Sequence, residues 1–290
     1  MKRRNLLIST GLLTGAAIAQ TSRSALAEQR LMKEVPATLP KPLKPNSKRL
    51  RGKMVAIAQG LNGYQVMPEQ GNGPFPTVLV IMEAFGLNDQ IKSVCDLYAS
   101  YGYGAIAPDI YGGTVFAYDQ LGGAVAKLKT LNDEVVVKQV GQTLDFIGTQ
   151  PKLRSDAVGT VGFCMGGRYA FLLSATFADR IHSAVCFYGG GIASEPDPLG
   201  RVSLLPLVPQ IQSPVMLIYS AEDEYINGAE HARITQAMSD NRKRYVLSVV
   251  PNTQHGFMND ARSTYNESAA MESWDMAFGF FKRHLKNRPS

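Results

Sequence analysis

Short, almost wholly apolar runs alternate along most of this chain with stretches that are apolar at helical spacing. Residues 77–82 (TVLVIM), 104–107, 157–163 (AVGTVGF), 183–188, 215–219 and 244–250 read as strands. Their apolar character is continuous rather than alternating, which predicts burial on both faces. Helical spacing covers residues 90–101, 117–131, 133–149, 166–178, 228–240 and 267–287. A short antiparallel pair, 53–59 with 63–68, precedes the first buried strand. The order predicts an α/β domain: a mostly parallel central sheet of about eight strands with helices on both faces. Residues 189–212, with Pro196, Pro198, Pro206 and Pro209, make a connection longer than most, expected to form a lid or pocket rim.

The amino terminus breaks this pattern. Lys2-Arg3-Arg4-Asn5-Leu6-Leu7 sets paired arginines ahead of a weakly apolar stretch over residues 6–19, and Ala25-Leu26-Ala27 offers an A-x-A cleavage site. Arg23 beside that site fits a twin-arginine export signal better than a general secretory one. A membrane anchor competes, but 6–19 contains Gly11 and Gly15 and falls short of the roughly 20 residues needed to span. Residues 1–27 are thus expected to direct export, to a bacterial periplasm, with a cytoplasmic location as the alternative. A reporter fused to residues 1–30 and retained in the cytoplasm would refute export. Residues 28–52, carrying Pro36, Pro40, Pro42, Pro45 and the start of a basic cluster from Lys41 to Lys53, read as a Pro-rich linker or arm. Residues 53–290 remain as one large domain, a size consistent with the 45% apolar content.

Removing the signal changes the charge argument. Without Lys2, Arg3, Arg4 and Arg23, the 30 basic residues fall to 26 against 24 acidic ones, a net charge of +2 instead of +6. That removes the case for binding nucleic acid or a membrane surface. No metal-ligand spacing, phosphate loop or dinucleotide fingerprint occurs, so neither cofactor nor metal is expected. The expected partner is a small-molecule substrate; the sequence leaves the oligomeric state open, with a monomer favoured over an oligomer.

The chemistry-bearing motif is Gly162-Phe163-Cys164-Met165-Gly166-Gly167, between a strand and a helix. Small residues two before and two after the central position permit a sharp, strained turn that lifts its side chain above the sheet edge. The bland alternative is a Gly-rich turn around a buried thiol, so partners decide. Asp223 follows the 215–219 strand and His255 follows the 244–250 strand, giving the order Cys164, Asp223, His255 on successive strand ends. His255 would keep a thiolate available and later protonate the leaving oxygen, while Asp223 fixes the imidazole tautomer. Glu222 and Glu224 compete with Asp223 as solvated loop carboxylates. His231 and His284 lie on expected helices among charges, and His182 sits at the opposite end of its strand. The backbone N–H groups of Met165 and Ala84 are the candidate oxyanion donors.

These residues carry a family resemblance. Met82-Glu83-Ala84-Phe85-Gly86-Leu87-Asn88, Ala107-Pro108-Asp109-Ile110-Tyr111, the cysteine elbow, and His255-Gly256-Phe257 followed by Tyr265-Asn266 resemble the dienelactone hydrolase (carboxymethylenebutenolidase) family over roughly residues 53–286. The resemblance implies an α/β-hydrolase fold and a Cys-His-Asp triad acting on lactones or esters. It also gives Glu83 a role: in similar proteins the equivalent glutamate holds the resting thiol protonated and yields when substrate binds. The physical basis is that a nearby carboxylate disfavours a thiolate. A surface carboxylate is the competing reading, against which stands the apolar context Val-Ile-Met before it and Ala-Phe-Gly after it.

One departure bears on substrate. The family's two carboxylate-binding arginines correspond to Gly113 and Asn259, leaving Arg262 as the candidate substitute. Phe85 and Tyr111 are candidate pocket walls, with simple packing as the alternative. Cys95 and Cys186 read as buried apolar side chains, a disulfide between them being the other possibility. The expected function is a cysteine-dependent hydrolase of small esters, lactones or thioesters. A binding protein on a hydrolase scaffold and a thiol redox protein are the alternatives.

Overall fold

A computed structural model of the chain describes residues 50–286, so the expected export signal and nearly all of the expected arm lie outside the described residues. The strands are β1 (Lys53–Ala58), β2 (Leu61–Val66), β3 (Phe75–Ile81), β4 (Gly104–Pro108), β5 (Leu153–Phe163), β6 (Ser183–Phe187), β7 (Val215–Ser220) and β8 (Tyr245–Val250). They form one sheet in the order β1-β2-β4-β3-β5-β6-β7-β8. β2 runs antiparallel to β1 and to β4, and every pairing from β4 through β3 to β8 is parallel. In β3, Val78, Leu79, Val80 and Ile81 are all wholly buried. Successive strand side chains point to opposite faces, so both faces are covered. This is the α/β-hydrolase arrangement, as the sequence implied.

The helices are α1 (Asp89–Ser100), α2 (Leu121–Lys129), α3 (Asp133–Thr149), α4 (Met165–Thr176), α5 (Gly228–Asp240) and α6 (Glu267–Phe281). Four start the same way. Asn88, Asn132, Asn227 and Asn266 each accept a backbone N–H from the first turn of α1, α3, α5 and α6. α4 differs: its cap is Cys164, whose side chain makes no cap bond. The sulfur at the head of this helix is left for other work.

Some boundaries differ from those the spacing predicts. α2 begins at Leu121 rather than 117, because the Ala117 N–H donates to Gln120 Oε1 (3.0 Å) and closes a turn ahead of it. Gly122 and Gly123 weaken helix formation further. The last helix ends its α-helical course at Phe281 and passes into a π-turn over Lys282–Lys286. β5 starts earlier, at Leu153.

The long connection over residues 189–212 contains a 3-10 helix, Leu205–Gln210, and is tied down from below by Arg168. That guanidinium, wholly buried, forms two bonds of 2.8 Å to the Asp133 carboxylate at the start of α3. It also donates to the carbonyls of Gly191 and Val202, each at 3.1 Å. Arg168, the fourth residue of α4, therefore fixes the connection that borders the cavity above the helix's own start.

Candidate active site

Cys164 sits at φ 54° and ψ −119°, a left-handed conformation costly for a residue with a Cβ. The neighbours enforce it. A Cβ at Gly162 would fall onto the carbonyl of Gly166, and one at Gly166 would collide with the carbonyls of Ile81 and Met82. The Cys164 N–H donates to the Phe187 carbonyl (3.0 Å), and the Cys164 carbonyl accepts from Gly167 N (2.9 Å). Backbone pairing across β5, β6 and α4 thus holds a strain that the glycines make sterically possible.

The side chains singled out from sequence converge here. His255 Nδ1 lies 2.9 Å from Asp223 Oδ2, and the imidazole also hydrogen-bonds the Cys164 thiol. Asp223 is oriented by three further donors: Ser220 Oγ (2.8 Å) to Oδ2, and the backbone N–H groups of Tyr225 (3.0 Å) and Ile226 (3.2 Å) to Oδ1. The rings of Tyr188 and Tyr225 meet His255 edge-on, with centroids 5.0 and 5.1 Å away. Thr264 Oγ1 donates to the His255 carbonyl (3.0 Å). The competitors lie elsewhere. His182 Nδ1 accepts from the Val158 N–H (3.1 Å), His231 stacks on Tyr219 at 4.2 Å, and His284 packs against Phe280.

The electrostatics follow from this packing. Burial raises the pKa of the Cys164 thiol, but the charge of His255, its hydrogen bond and the Met165 N–H outweigh burial and leave it below its ordinary value. Burial by itself would lower His255; the sulfur and the Asp223 carboxylate instead push it up to about 10. Asp223 is likewise disfavoured by burial, yet its bond to His255 and the surrounding donors hold it below the usual carboxylate range. Both members of the sulfur–imidazole pair are shifted toward the charged form, thiolate beside imidazolium.

Glu83 lies just past β3, 2% exposed. Its Oε1 accepts from Tyr118 Oη (2.9 Å) and Asn259 Nδ2 (2.9 Å). Tyr118 Oη in turn accepts from Asn259 Nδ2 (2.7 Å) and Asn88 Nδ2 (3.0 Å). Burial raises the Glu83 pKa, only partly offset by these bonds and by the charges of Arg262 and His255. Its charge opposes ionisation of Cys164. Glu83→Gln, which removes that charge while keeping an acceptor for Tyr118, is expected to move the alkylation profile of Cys164 by iodoacetamide to lower pH wherever Glu83 is ionised. An unchanged profile contradicts the coupling.

Cys164 and His255 open into a cavity of about 260 Å³, which Phe85, Ala84, Met165 and Arg262 also line. Ala84 N–H has no protein acceptor among the described residues, while the Met165 N–H is turned to the sulfur. Part of the 189–212 connection forms the rim, through Gly190, Ser194 and Leu199. Tyr111 does not form a wall, contrary to the expectation from its place after β4. It is buried beneath the elbow, with Oη 3.4 Å from Met165 Sδ. Gly113, at one of the absent arginine positions, donates its N–H to Asp109 Oδ2 (2.6 Å). Cys95 and Cys186 are buried free thiols, not a disulfide. Among the described residues no cluster of three or more His, Cys, Asp or Glu could hold a metal ion, and no helix is long and apolar enough to cross a membrane.

Sequence reasoning missed Tyr118, Asn88 and Ser220. Ser220 closes the strand three residues before Asp223, and a hydroxyl so placed could have been weighed as a carboxylate partner. Tyr118 and Asn88 gave no such signal, because their partner is distant in sequence.

The dienelactone hydrolase family model matches residues 61–285. Proteins named "Putative carboxymethylenebutenolidase" from Methylorubrum extorquens and Synechocystis are each 29% identical, over 76% of this chain and 76% of theirs, and over 74% and 88%, respectively. The crystal structure titled "Putative Dienelactone Hydrolase" from Klebsiella pneumoniae aligns with a TM-score of 0.72 at 24% identity, covering 81% of this chain and all of that one. A dienelactone hydrolase-like promiscuous phosphotriesterase from metagenomic libraries aligns at 0.70 with 23% identity, covering 81% and 99%. Family match and fold together make the chain a hydrolase, and it belongs to the dienelactone hydrolase family.

Proposed function

We propose that this hydrolase cleaves small carboxylic esters, lactones or thioesters through an acyl-enzyme on Cys164. The observation that carries this reading is His255, hydrogen-bonded to the sulfur and held by Asp223 at 2.9 Å. The thiolate attacks the carbonyl carbon, forming a C–S bond and pushing the carbonyl electrons onto oxygen. The oxyanion is met by the N–H groups of Met165 and Ala84; losing one such donor generally costs roughly 3–4 kcal/mol. As the tetrahedral species collapses, the bond to the leaving oxygen breaks and the imidazolium supplies that oxygen's proton. Neutral His255 then takes a proton from water as the water attacks the thioester. The C–S bond breaks, the acid departs and the thiolate–imidazolium pair returns. One water is consumed per ester, and no redox partner is needed.

Asp223 keeps the Nδ1 proton in place so that Nε2 faces the reaction, and stabilises the cation between steps. Glu83 acts as a brake on sulfur ionisation, and its grip by Tyr118 and Asn259 sets how strongly that brake is felt. Arg262, its guanidinium 5.7 Å from the centre of the Phe85 ring, offers positive charge to the substrate. The test is a panel of p-nitrophenyl esters, simple lactones and the dienelactone, run on mature protein. Turnover with a stoichiometric burst of nitrophenolate supports the reading, and absence of both with every substrate contradicts it.

A further inference from the structure

The cavity wall beside the sulfur has a composition that restricts what the acyl group can be. α2 turns Leu121, Val125 and Leu128, spaced four and three residues apart on one helical face, into this cavity. The same side of the helix is anchored between them: Ala124 is wholly buried against Ala84 and Phe85. Leu128 shares in that packing, while Leu121 and Val125 are left out of it. Leu121 is 44% exposed, and Val125 and Leu128 are half-buried. They present apolar surface to empty space next to a nucleophile.

The polar groups that could claim an anionic substrate are mostly engaged elsewhere. Arg201 lines the cavity but is bound to Asp197 through Nε (2.7 Å) and Nη2 (2.9 Å). Asn259 is turned onto Glu83, and Gly113 has no side chain. Arg262 alone among the lining cations has no carboxylate partner among the described residues, and its guanidinium carbon lies 5.7 Å from the centre of the Phe85 ring. Direction matters too. The leaving oxygen must face His255, which protonates it, so the acyl group takes another direction into the cavity, whose walls include Phe85 and α2. An apolar cavity of about 150 Å³ already accommodates benzene, and this one measures about 260 Å³.

We propose that the preferred acyl group is apolar and extended, of hexanoyl to octanoyl or arylalkanoyl size, and uncharged at its far end. Leu121, Val125 and Leu128 of α2 are the residues that select it. The proposal rests on the acyl-enzyme reading above, and two readouts separate their failures. The first is kcat/KM for p-nitrophenyl acetate, butanoate, hexanoate and octanoate, with the mono-p-nitrophenyl ester of adipic acid as the charged counterpart of hexanoate. The second is the rate at which N-alkyl chloroacetamides of the same chain lengths alkylate Cys164, which needs no turnover. Each methylene is expected to raise both rates roughly two- to fourfold, on the order of 50-fold from acetate to hexanoate. Leu121→Asp, at an exposed position the fold tolerates, and Val125→Asp are each expected to cut the hexanoate-to-acetate ratio at least tenfold.

Ester turnover with a flat chain-length dependence overturns the proposal and leaves the hydrolase reading standing. A tenfold preference for the adipate ester over hexanoate also overturns it, in favour of anion capture by Arg262. A chain-length slope in alkylation that Leu121→Asp abolishes, without turnover of any ester, supports the apolar wall and puts the failure in the hydrolase reading. A flat alkylation series overturns the wall itself.

Discussion

Cys164→Ala is expected to lower kcat/KM for a turned-over aryl ester by roughly 100,000-fold, to the level left by binding and the oxyanion donors alone. Among the described residues lining the cavity, Cys164 is the one thiol. Cys95 and Cys186 are buried, and burial alone pushes the Cys186 thiol well above its ordinary value. Alanine removes the sulfur and its charge while keeping a Cβ, so the left-handed turn and its glycine neighbours are undisturbed. The check is steady-state kinetics together with a thermal melt, which is expected to shift little. A variant within tenfold of wild type would place the nucleophile elsewhere.

The second large effect is expected from Asp223→Asn, on the order of 10,000-fold in kcat. Asparagine keeps an oxygen that can accept from the Tyr225 and Ile226 N–H groups, so the loop after β7 retains its shape. It also puts an amide N–H against His255 Nδ1. The imidazole then carries its proton on Nε2, the wrong nitrogen for taking one from water, and the cation loses its counter-charge. Asp223 holds the imidazolium from 2.9 Å, so its loss also lets His255 titrate at lower pH. The alkylation rate of Cys164, which depends on that cation, is expected to fall near neutral pH and recover as pH rises toward the ordinary thiol range. An unchanged pH profile together with near-normal turnover would show that His255 acts without Asp223.

The legible and illegible parts of this site divide by sequence distance. Cys164, Asp223 and His255 could be read because each follows a strand of the parallel sheet, which brings successive strand ends to one edge. Gly162 and Gly166 were readable because a tight strand-to-helix turn excludes a Cβ at those places. Strands β3 to β7 were visible for a related reason: runs buried on both faces are continuously apolar, whereas β8, read the same way, lies at the sheet edge with Val246 44% and Val249 42% exposed. The Tyr118 contacts to Glu83 and Asn259 bridge 35 and 141 residues, and no local pattern encodes them. Nor does sequence tell which way a strand-end aromatic points, which is why Tyr111 was expected in the wall and lies beneath Met165 instead. Asn259 shows the limit differently. Its sequence position reported a missing arginine, whereas the fold gives it a positive task, steadying the carboxylate that opposes the thiolate. The late start of the helix predicted from residue 117 was hidden in a bond that the Ala117 N–H donates to the Gln120 side chain.

The central claim is that a covalent bond forms between the substrate acyl group and the sulfur of Cys164. Acid-quenching the wild-type protein within the burst phase with p-nitrophenyl hexanoate, followed by intact-mass measurement and peptide mapping, tests it directly. The account predicts one added hexanoyl group per chain, located on the peptide containing Cys164 and released by hydroxylamine. Steady turnover of the same ester with that peptide unmodified at every quench time would contradict it.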